Sequence, residues 1–328
     1  MLIDKLWELP ACGSELSYRM IYTVTLNPAV DRELTVPVLE FDTVLRATQW
    51  QVDCGGKGFN VSRMLKALGT ASLALGFAGG RSGEMLQDGL HALGIATDFV
   101  WVPGETRTNV SVVSQNHDHY LKANEPGPTI SPEKQQELAG KIRSLAKTGD
   151  LWVLAGSLPP GVAPTIYAEI IAVVQRRGAM AILDTSGSAL QHGCEAGPYL
   201  VKPNANEAHR LTGLPVDNQA GIIAAAAAVR KLGPANIVVS LGRAGALLLE
   251  DQQAWVAHSP KIEEHNPIGA GDSLVGGLVW GLQAGLGLKE ALRWGIACGA
   301  ATASLNGTAV GTRALVESLA KHVEIRPA

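Results

Sequence analysis

LWVLA (Leu151–Ala155), AMAILD (Ala179–Asp184), LVK (Leu200–Lys202) and IVVSL (Ile237–Leu241) are short apolar runs, mostly separated by stretches of helical period. Runs this short with no polar alternation read as strands buried on both faces, as in a parallel sheet whose crossovers are helices. Right-handed crossovers put helices on both sides, so this half of the chain predicts a doubly wound α/β core. The same pattern extends toward the N-terminus. Met20–Leu26 and Ala71–Ala78 read as strands, and Val61–Leu68 as a helix with Val61, Leu65 and Leu68 on one face. Ser82 is the expected cap of a helix that stops at Gly94, and Ser131-Pro132 opens another that runs to about Lys147.

Two regions break the alternation, at about residues 33–52 and 98–122. Both are rich in β-branched residues and lack helical period, so they predict a small antiparallel β lid outside the main sheet. Phe99–Val102, Asn109–Ser114 and His119–Leu121 are its expected strands in the second region. A sheet of few strands has one poorly covered face, which favours a homodimer through the lid. Residues 1–19 read as an N-terminal extension to a domain over 20–328, with no apolar centre of a signal peptide.

With 46% hydrophobic and 17% charged residues the chain has the balance of an α/β enzyme. Its net charge of −3 without a basic block gives no electrostatic footprint for nucleic acid or an acidic membrane. Cys12, Cys54, Cys194 and Cys298 show no C-x-x-C spacing, which argues against a zinc site or disulfide framework and fits a reducing cytoplasm. The uncharged stretch Ser273–Leu288 is shorter than the ~18–20 residues of a membrane span and reads as a buried helix. His117, His119 and His265 lack metal-ligand spacing.

NPIGAGDS (Asn266–Ser273) carries the chemistry. Its glycines let backbone approach a ligand, and the helix that follows would aim free N–H groups at an anion. An aspartate repels a merely structural anion, but it makes sense where a carboxylate must meet a hydroxyl beside a transferring phosphoryl group.

Together with TLNPAVD (Thr25–Asp31), GGKGFNVSR (Gly55–Arg63), TRTN (Thr106–Asn109), GSLPPG (Gly156–Gly161), KPNANE (Lys202–Glu207) and SLGRAGA (Ser240–Ala246), this turn resembles the ribokinase/PfkB carbohydrate kinase family. Within it the chain is similar to the phosphosugar branch that contains 1-phosphofructokinase and tagatose-6-phosphate kinase. The resemblance runs from about residue 20 to the C-terminus. It implies a ribokinase-like αβα sandwich with a β lid, ATP with Mg²⁺ as phosphoryl donor, and a sugar or sugar phosphate as acceptor.

By that resemblance Asp272 is the catalytic base, and the amides of Gly269, Ala270 and Gly271 form the anion hole. Asp31, Asn60 and the backbone of Gly55 and Gly56 receive sugar hydroxyls, and Ser157 bonds the acceptor. Lys57, Arg46 and Arg107 suggest a phosphorylated acceptor, because a dianion needs converging cations. Lys202, Asn204, Ser240, Gly242, Gly245 and Asn306 fall on the nucleotide side, and Asn204 with Glu207 is expected to hold Mg²⁺ through water. Several of these positions have plainer uses. Asn204 and Glu207 also fit a helix capping box, and SLGRAGA taken alone reads as a hairpin loop. Pro267 stands where the family usually has serine or threonine.

The chain has no G-x-x-x-x-G-K-[ST] loop, G-x-G-x-x-G fingerprint or G-x-S-x-G elbow, which disfavours a dehydrogenase or a hydrolase. The expected reaction is ATP-dependent phosphorylation of a ketohexose phosphate, foremost fructose 1-phosphate to fructose 1,6-bisphosphate. Phosphorylation of tagatose 6-phosphate or fructose 6-phosphate is the alternative within enzymes. A sugar-phosphate-binding regulator is the alternative outside them.

Overall fold

A computed structural model describes residues 20–115, 119–307 and 309–328. The expected extension over residues 1–19 and His117 lie outside the described residues. The main sheet is eleven-stranded and runs β15 (Glu324–Pro327), β14 (Gln253–His258), β13 (Ala246–Glu250), β12 (Asn236–Ser240), β11 (Leu200–Val201), β10 (Met180–Asp184), β9 (Leu151–Ala155), β1 (Ile21–Thr25), β4 (Leu73–Ala78) and β5 (Ala96–Thr97), with β6 (Val100–Trp101) also pairing with β4. Pairing is parallel from β5 and β6 across to β12, and antiparallel from β12 to β15.

Helices cover both faces because successive side chains of the buried strands point to opposite sides. On one face Tyr22, Val24, Trp152 and Leu154 pack against α3 (Pro132–Leu145), α4 (Ile166–Arg176), α5 (Gly187–Glu195) and α7 (Gln219–Lys231). On the other, Ile21, Leu151 and Val153 pack against α1 (Lys57–Ala67), α8 (Ala270–Gln283), α9 (Leu288–Ala303) and α10 (Arg313–Ala320). The remaining helices are α2 (Gly80–Ala92) and α6 (Ala205–Thr212). This is the expected sandwich with a doubly wound sheet. Of the uncharged run Ser273–Leu288, the part to Gln283 is a largely buried helix, α8, while residues 284–287 form the turn into α9, which begins at Leu288.

A separate four-stranded sheet forms the lid, in the order β3 (Gln49–Gly55), β2 (Ala29–Val36), β7 (Arg107–Ser114) and β8 (Tyr120–Asn124). Its register separates two faces. Asp31, Asp53 and Asn109 align in one row, and Glu33, Gln51, Ser111 and Lys122 in the next. The opposite face carries the rows Trp50–Leu34–Val112–Leu121 and Val52–Arg32–Val110–Ala123.

Several boundaries differ from the sequence expectation. The lid begins at Ala29 rather than near residue 33, and Phe99–Val102 does not join it. Val100–Trp101 instead pairs parallel with Phe77–Ala78 at the main sheet, where Phe99 and Val100 are buried. Helix α1 begins at Lys57, four residues before Val61. Ser82 does not cap α2. The cap is Gly79, and the first-turn amides of Arg81 and Ser82 donate to the carboxylate of Glu105 at 3.2 and 3.0 Å, so a residue distant in sequence satisfies them. Ser131 does cap α3, with Pro132 in its first turn.

Candidate active site

The carboxyl ends of β1, β9, β10, β11 and β12 form one edge of the parallel sheet, the position where open α/β sheets bind ligands. Helix α8 starts there. Gly269 sets the entry with φ 79°, a left-handed conformation natural to glycine. The Ala270 N–H is consumed in the turn by the Pro267 carbonyl at 3.2 Å, so Ala270 is not available as an anion-hole donor. The amides of Gly269, Gly271 and Asp272 have no acceptor among the described residues. They are the unpaired first-turn donors that make a helix N-terminus an anion site.

Asp272 is 7% exposed and accepts a hydrogen bond from Asn60 Nδ2 at 2.8 Å. Burial, and then the negative charge of Asp184, push its carboxyl from 3.8 up to about 6, against the opposing pull of Lys57, Asn60 and Lys202. A carboxylate so poised is a far better proton acceptor near neutral pH than an exposed one.

Asp184, at the end of β10, is the residue that sequence reasoning missed. Its Oδ1 receives Lys57 Nζ at 3.1 Å and its Oδ2 lies 3.3 Å from Lys202 Nζ, with the Asp184 side chain 1% exposed. Burial disfavours its charge, but Lys202 and Lys57 outweigh that and hold the carboxyl below its ordinary range. Lys57 shows the mirror effect. Burial alone would lower it, yet Asp184, Asp272 and Glu207 hold its ammonium above the ordinary lysine range. One signal in the sequence pointed to Asp184, a charged residue closing an apolar parallel strand at its carboxyl end. The Nζ of Lys202 would lie 3.8 Å from a Cβ placed on Gly271, so the buried triad reaches the turn at α8.

On the polar face of the lid Asp31 accepts Asn109 Nδ2 at 2.7 Å and lies opposite Asp53, which accepts Gln51 Nε2 at 2.6 Å. Asp31, Asp53, Asn60, Arg63, Ile268 and Gly269 line one cavity. Gly55 lets the Asp31 carboxylate pack against the backbone, because a Cβ at that position would stand 2.2 Å from Asp31 Oδ2 and force the carboxylate to move. Gly56 is the cap of α1, and so it places Lys57 in the helix's first turn. Ser157 follows β9 and is exposed. Its neighbour Gly156 is held through its carbonyl by Thr185 Oγ1 at 2.8 Å and Tyr167 Oη at 3.1 Å.

Two of the three expected phosphate-gripping cations are placed otherwise. Arg107 donates to the carbonyls of Asn27 at 3.0 Å, Pro28 at 3.3 Å and Glu125 at 3.2 Å, so its planar fork is directed into backbone. Arg46 is exposed in the loop at 37–48, at the end of the β2–β3 hairpin away from Gly55. The structure therefore does not bring Arg46 to Asp31 and Lys57.

Asn204 caps α6 in a reciprocal box. Its Oδ1 accepts the Glu207 N–H and its own N–H donates to Glu207 Oε2, both at 2.8 Å. Asn204 also bridges to Ser240, whose N–H donates to the Pro203 carbonyl at 3.0 Å. SLGRAGA is a hairpin connection between β12 and β13, tightened by a 3-10 turn at Gly242–Ala244, with Gly242 and Gly245 at positive φ. Asn306 is exposed in the turn after α9.

The profile of the pfkB family of carbohydrate kinases matches residues 23–314. The chain belongs to this family. It is 36% identical over 306 residues to a 1-phosphofructokinase of Bacillus subtilis, covering 93% of this chain and 99% of that protein. It is 34% identical over 266 residues to a tagatose-6-phosphate kinase of Staphylococcus epidermidis, covering 80% and 85%. The crystal structure of Escherichia coli phosphofructokinase-2 in complex with potassium superposes with a TM-score of 0.88 at 30% identity, covering 92% of this chain and 98% of that one. The fold of this pfkB kinase is thus the ribokinase-like α/β sandwich.

Proposed function

We propose that this chain is an ATP-dependent kinase of a ketohexose phosphate that converts fructose 1-phosphate to fructose 1,6-bisphosphate. The observation that carries the proposal is a single juxtaposition. Asp272, buried and raised to about 6, stands in the first turn of α8 beside unbonded amides, with Lys57 and Lys202 close enough to lower its pKa. The similarity to the 1-phosphofructokinase of B. subtilis supports the choice of acceptor.

In this reading the acceptor hydroxyl lies between Asp272 and the γ-phosphorus. As its oxygen attacks, the bond from the γ-phosphorus to the β-bridging oxygen breaks, ADP leaves, and the hydroxyl proton passes to the Asp272 carboxylate. Asn60 holds that carboxylate in orientation. The amides of Gly269, Gly271 and Asp272 meet the charge spread over the phosphoryl oxygens, where preorganised donors contribute most. Lys57, anchored by Asp184, is a fixed cation available to the acceptor or the migrating phosphoryl group. Asp31 receives sugar hydroxyls, and the polar face of the lid shuts water out.

Asn204 and Glu207 suit Mg²⁺. They offer hard oxygen donors with one carboxylate pre-set by the capping box, and a magnesium ion that keeps most of its waters needs no more. When bound, Mg²⁺ would neutralise part of the phosphate charge. Lys202, Ser240, Gly242 and Gly245 would flank the nucleotide. The apolar outer rows of the lid, with Trp50 69% and Leu121 44% exposed, support a homodimer in which two lids meet.

A coupled ADP-release assay with Mg-ATP, run across fructose 1-phosphate, fructose 6-phosphate, tagatose 6-phosphate and fructose, tests the proposal. The highest kcat/KM is expected for fructose 1-phosphate. A higher value for tagatose 6-phosphate would move the assignment to that acceptor, and no release with any of the four would favour a binding regulator.

A further inference from the structure

Among the described residues Asn266 forms no hydrogen bond with Asp272, yet both ends of its side-chain amide are committed. Its Nδ2 donates to the Gly307 carbonyl at 2.7 Å and its Oδ1 accepts the Ile268 N–H at 3.0 Å. Its own N–H, and that of His265, donate to the Ala303 carbonyl at 3.1 and 2.8 Å. Ala303 ends α9, which is tied to α8 by Thr302 Oγ1 donating to Ser273 Oγ at 2.8 Å. The segment before Gly269 is therefore fastened to the end of α9 through the backbone N–H groups of His265 and Asn266, and to Gly307 beyond it through the Asn266 side chain.

The far side of Gly307 faces the lid. The side-chain amide of Gln51 on β3 lies 3.5 Å from where a Cβ on Gly307 would stand, and its Nε2 donates to Asp53 Oδ2 at 2.6 Å. Asp53 lines the same cavity as Asp31, Asn60 and Gly269. The Gln51 amide thus stands beside Gly307, and hydrogen bonds run from the Gly307 carbonyl through the Asn266 side chain to the Ile268 N–H.

We propose that Asn266 is a positioning residue that links the acceptor-facing lid to the amide turn, so that an acceptor seated against Asp53 helps to hold the Gly269 and Gly271 amides for phosphoryl transfer. The inference rests on the kinase reading above. Its physical basis is that Asn266 supplies the only side-chain hydrogen bond within the turn at 266–269 among the described residues. Without it, the glycine-containing turn keeps only its backbone bonds, Ala270 N–H to the Pro267 carbonyl and Ser273 N–H to the Gly269 carbonyl, and holds the geometry that aims its amides less tightly. Small misplacements of groups that orient a reacting centre cost rate rather than ground-state affinity.

Two variants separate the two arms. Asn266→Ala removes both bonds. Asn266→Asp keeps the acceptor for Ile268 but sets a carboxylate oxygen against the Gly307 carbonyl. Both are expected to lower kcat with fructose 1-phosphate by about tenfold or more, while KM for either substrate stays within about threefold of the parent. Melting temperatures should fall by no more than about 5 °C, the loss of two hydrogen bonds. Gln51→Ala should lower kcat less, and add little to Asn266→Ala, because the two act through one path.

A folded Asn266→Ala or Asn266→Asp enzyme with kcat within about twofold of the parent would overturn the proposal. So would loss of folding in either variant, since that marks a structural role, or full additivity with Gln51→Ala. An unmodified enzyme that releases no ADP with any sugar phosphate would instead remove the kinase reading itself.

Discussion

Replacing Asp272 by Asn should make the protein more stable and nearly inactive. The folded state raises this carboxyl from 3.8 to about 6, so it favours the protonated form. The sign follows from linkage. Below the unfolded value the group costs nothing, the cost grows as pH rises through about 4 to 6, and above that it is complete. The shift corresponds to about 3 kcal/mol at neutral pH. Asparagine has the shape of the protonated acid and can still accept from Asn60, so most of that amount should be recovered at pH 7 to 8. For a chain of this size the gain is a rise in Tm of about 2 °C per kcal/mol. Urea or thermal unfolding of parent and Asp272→Asn between pH 4 and 8 measures it. The expected result is a stability gain at pH 8 that disappears near pH 4, together with a fall in kcat of at least ~10²-fold. Equal or lower stability at pH 8, or a gain unchanged at pH 4, would refute the claim that burial holds the carboxyl up. Retained turnover would refute its role as base.

The acid limb of kcat/KM should fall about tenfold per pH unit below about 6, because only the ionised Asp272 accepts the proton. Asp184→Asn removes the second-ranked cause of the raised value and should move that limb to lower pH, while stranding Lys202 costs about 3–5 kcal/mol of stability in denaturant unfolding. An unmoved limb would show that Asp184 does not tune the base. Gly55→Ala places a methyl 2.2 Å from Asp31 Oδ2, so KM for the acceptor should rise about tenfold with KM for ATP little changed; a parallel rise for both would place Asp31 outside the acceptor site. Arg107→Ala strips donors from three carbonyls and should cost about 2 kcal/mol, read as a lowered Tm. An unchanged Tm with a many-fold rise in acceptor KM would instead restore Arg107 as a phosphate grip.

Local patterns were legible where the cause is local. The buried strand Leu151–Ala155 has the bounds its apolar run suggested, and the Asn204–Glu207 capping box follows from residue types three apart. The glycines of GAGD announced a turn into a helix because few other residues take a left-handed entry. Expectations failed where the partner is distant in sequence. Ser82 looked like a cap, but Glu105 satisfies the start of α2. Val100–Trp101 looked like lid, but the open edge of β4 was a better partner.

The order of elements, the glycine turn before α8 and the presence of a carboxylate in it are properties of neighbouring residues, so the sequence alone determined them. Which charges meet was decided only by the tertiary structure. Lys57, Asp184 and Lys202 come from three separate segments, and the raised pKa of Asp272 exists only once those segments exclude water around it. The types of residue around Arg107 could not show that its guanidinium donates to three backbone carbonyls, which only the fold brings to it. Desolvation and pairing depend on distances across the fold, and no spacing along the chain encodes them directly.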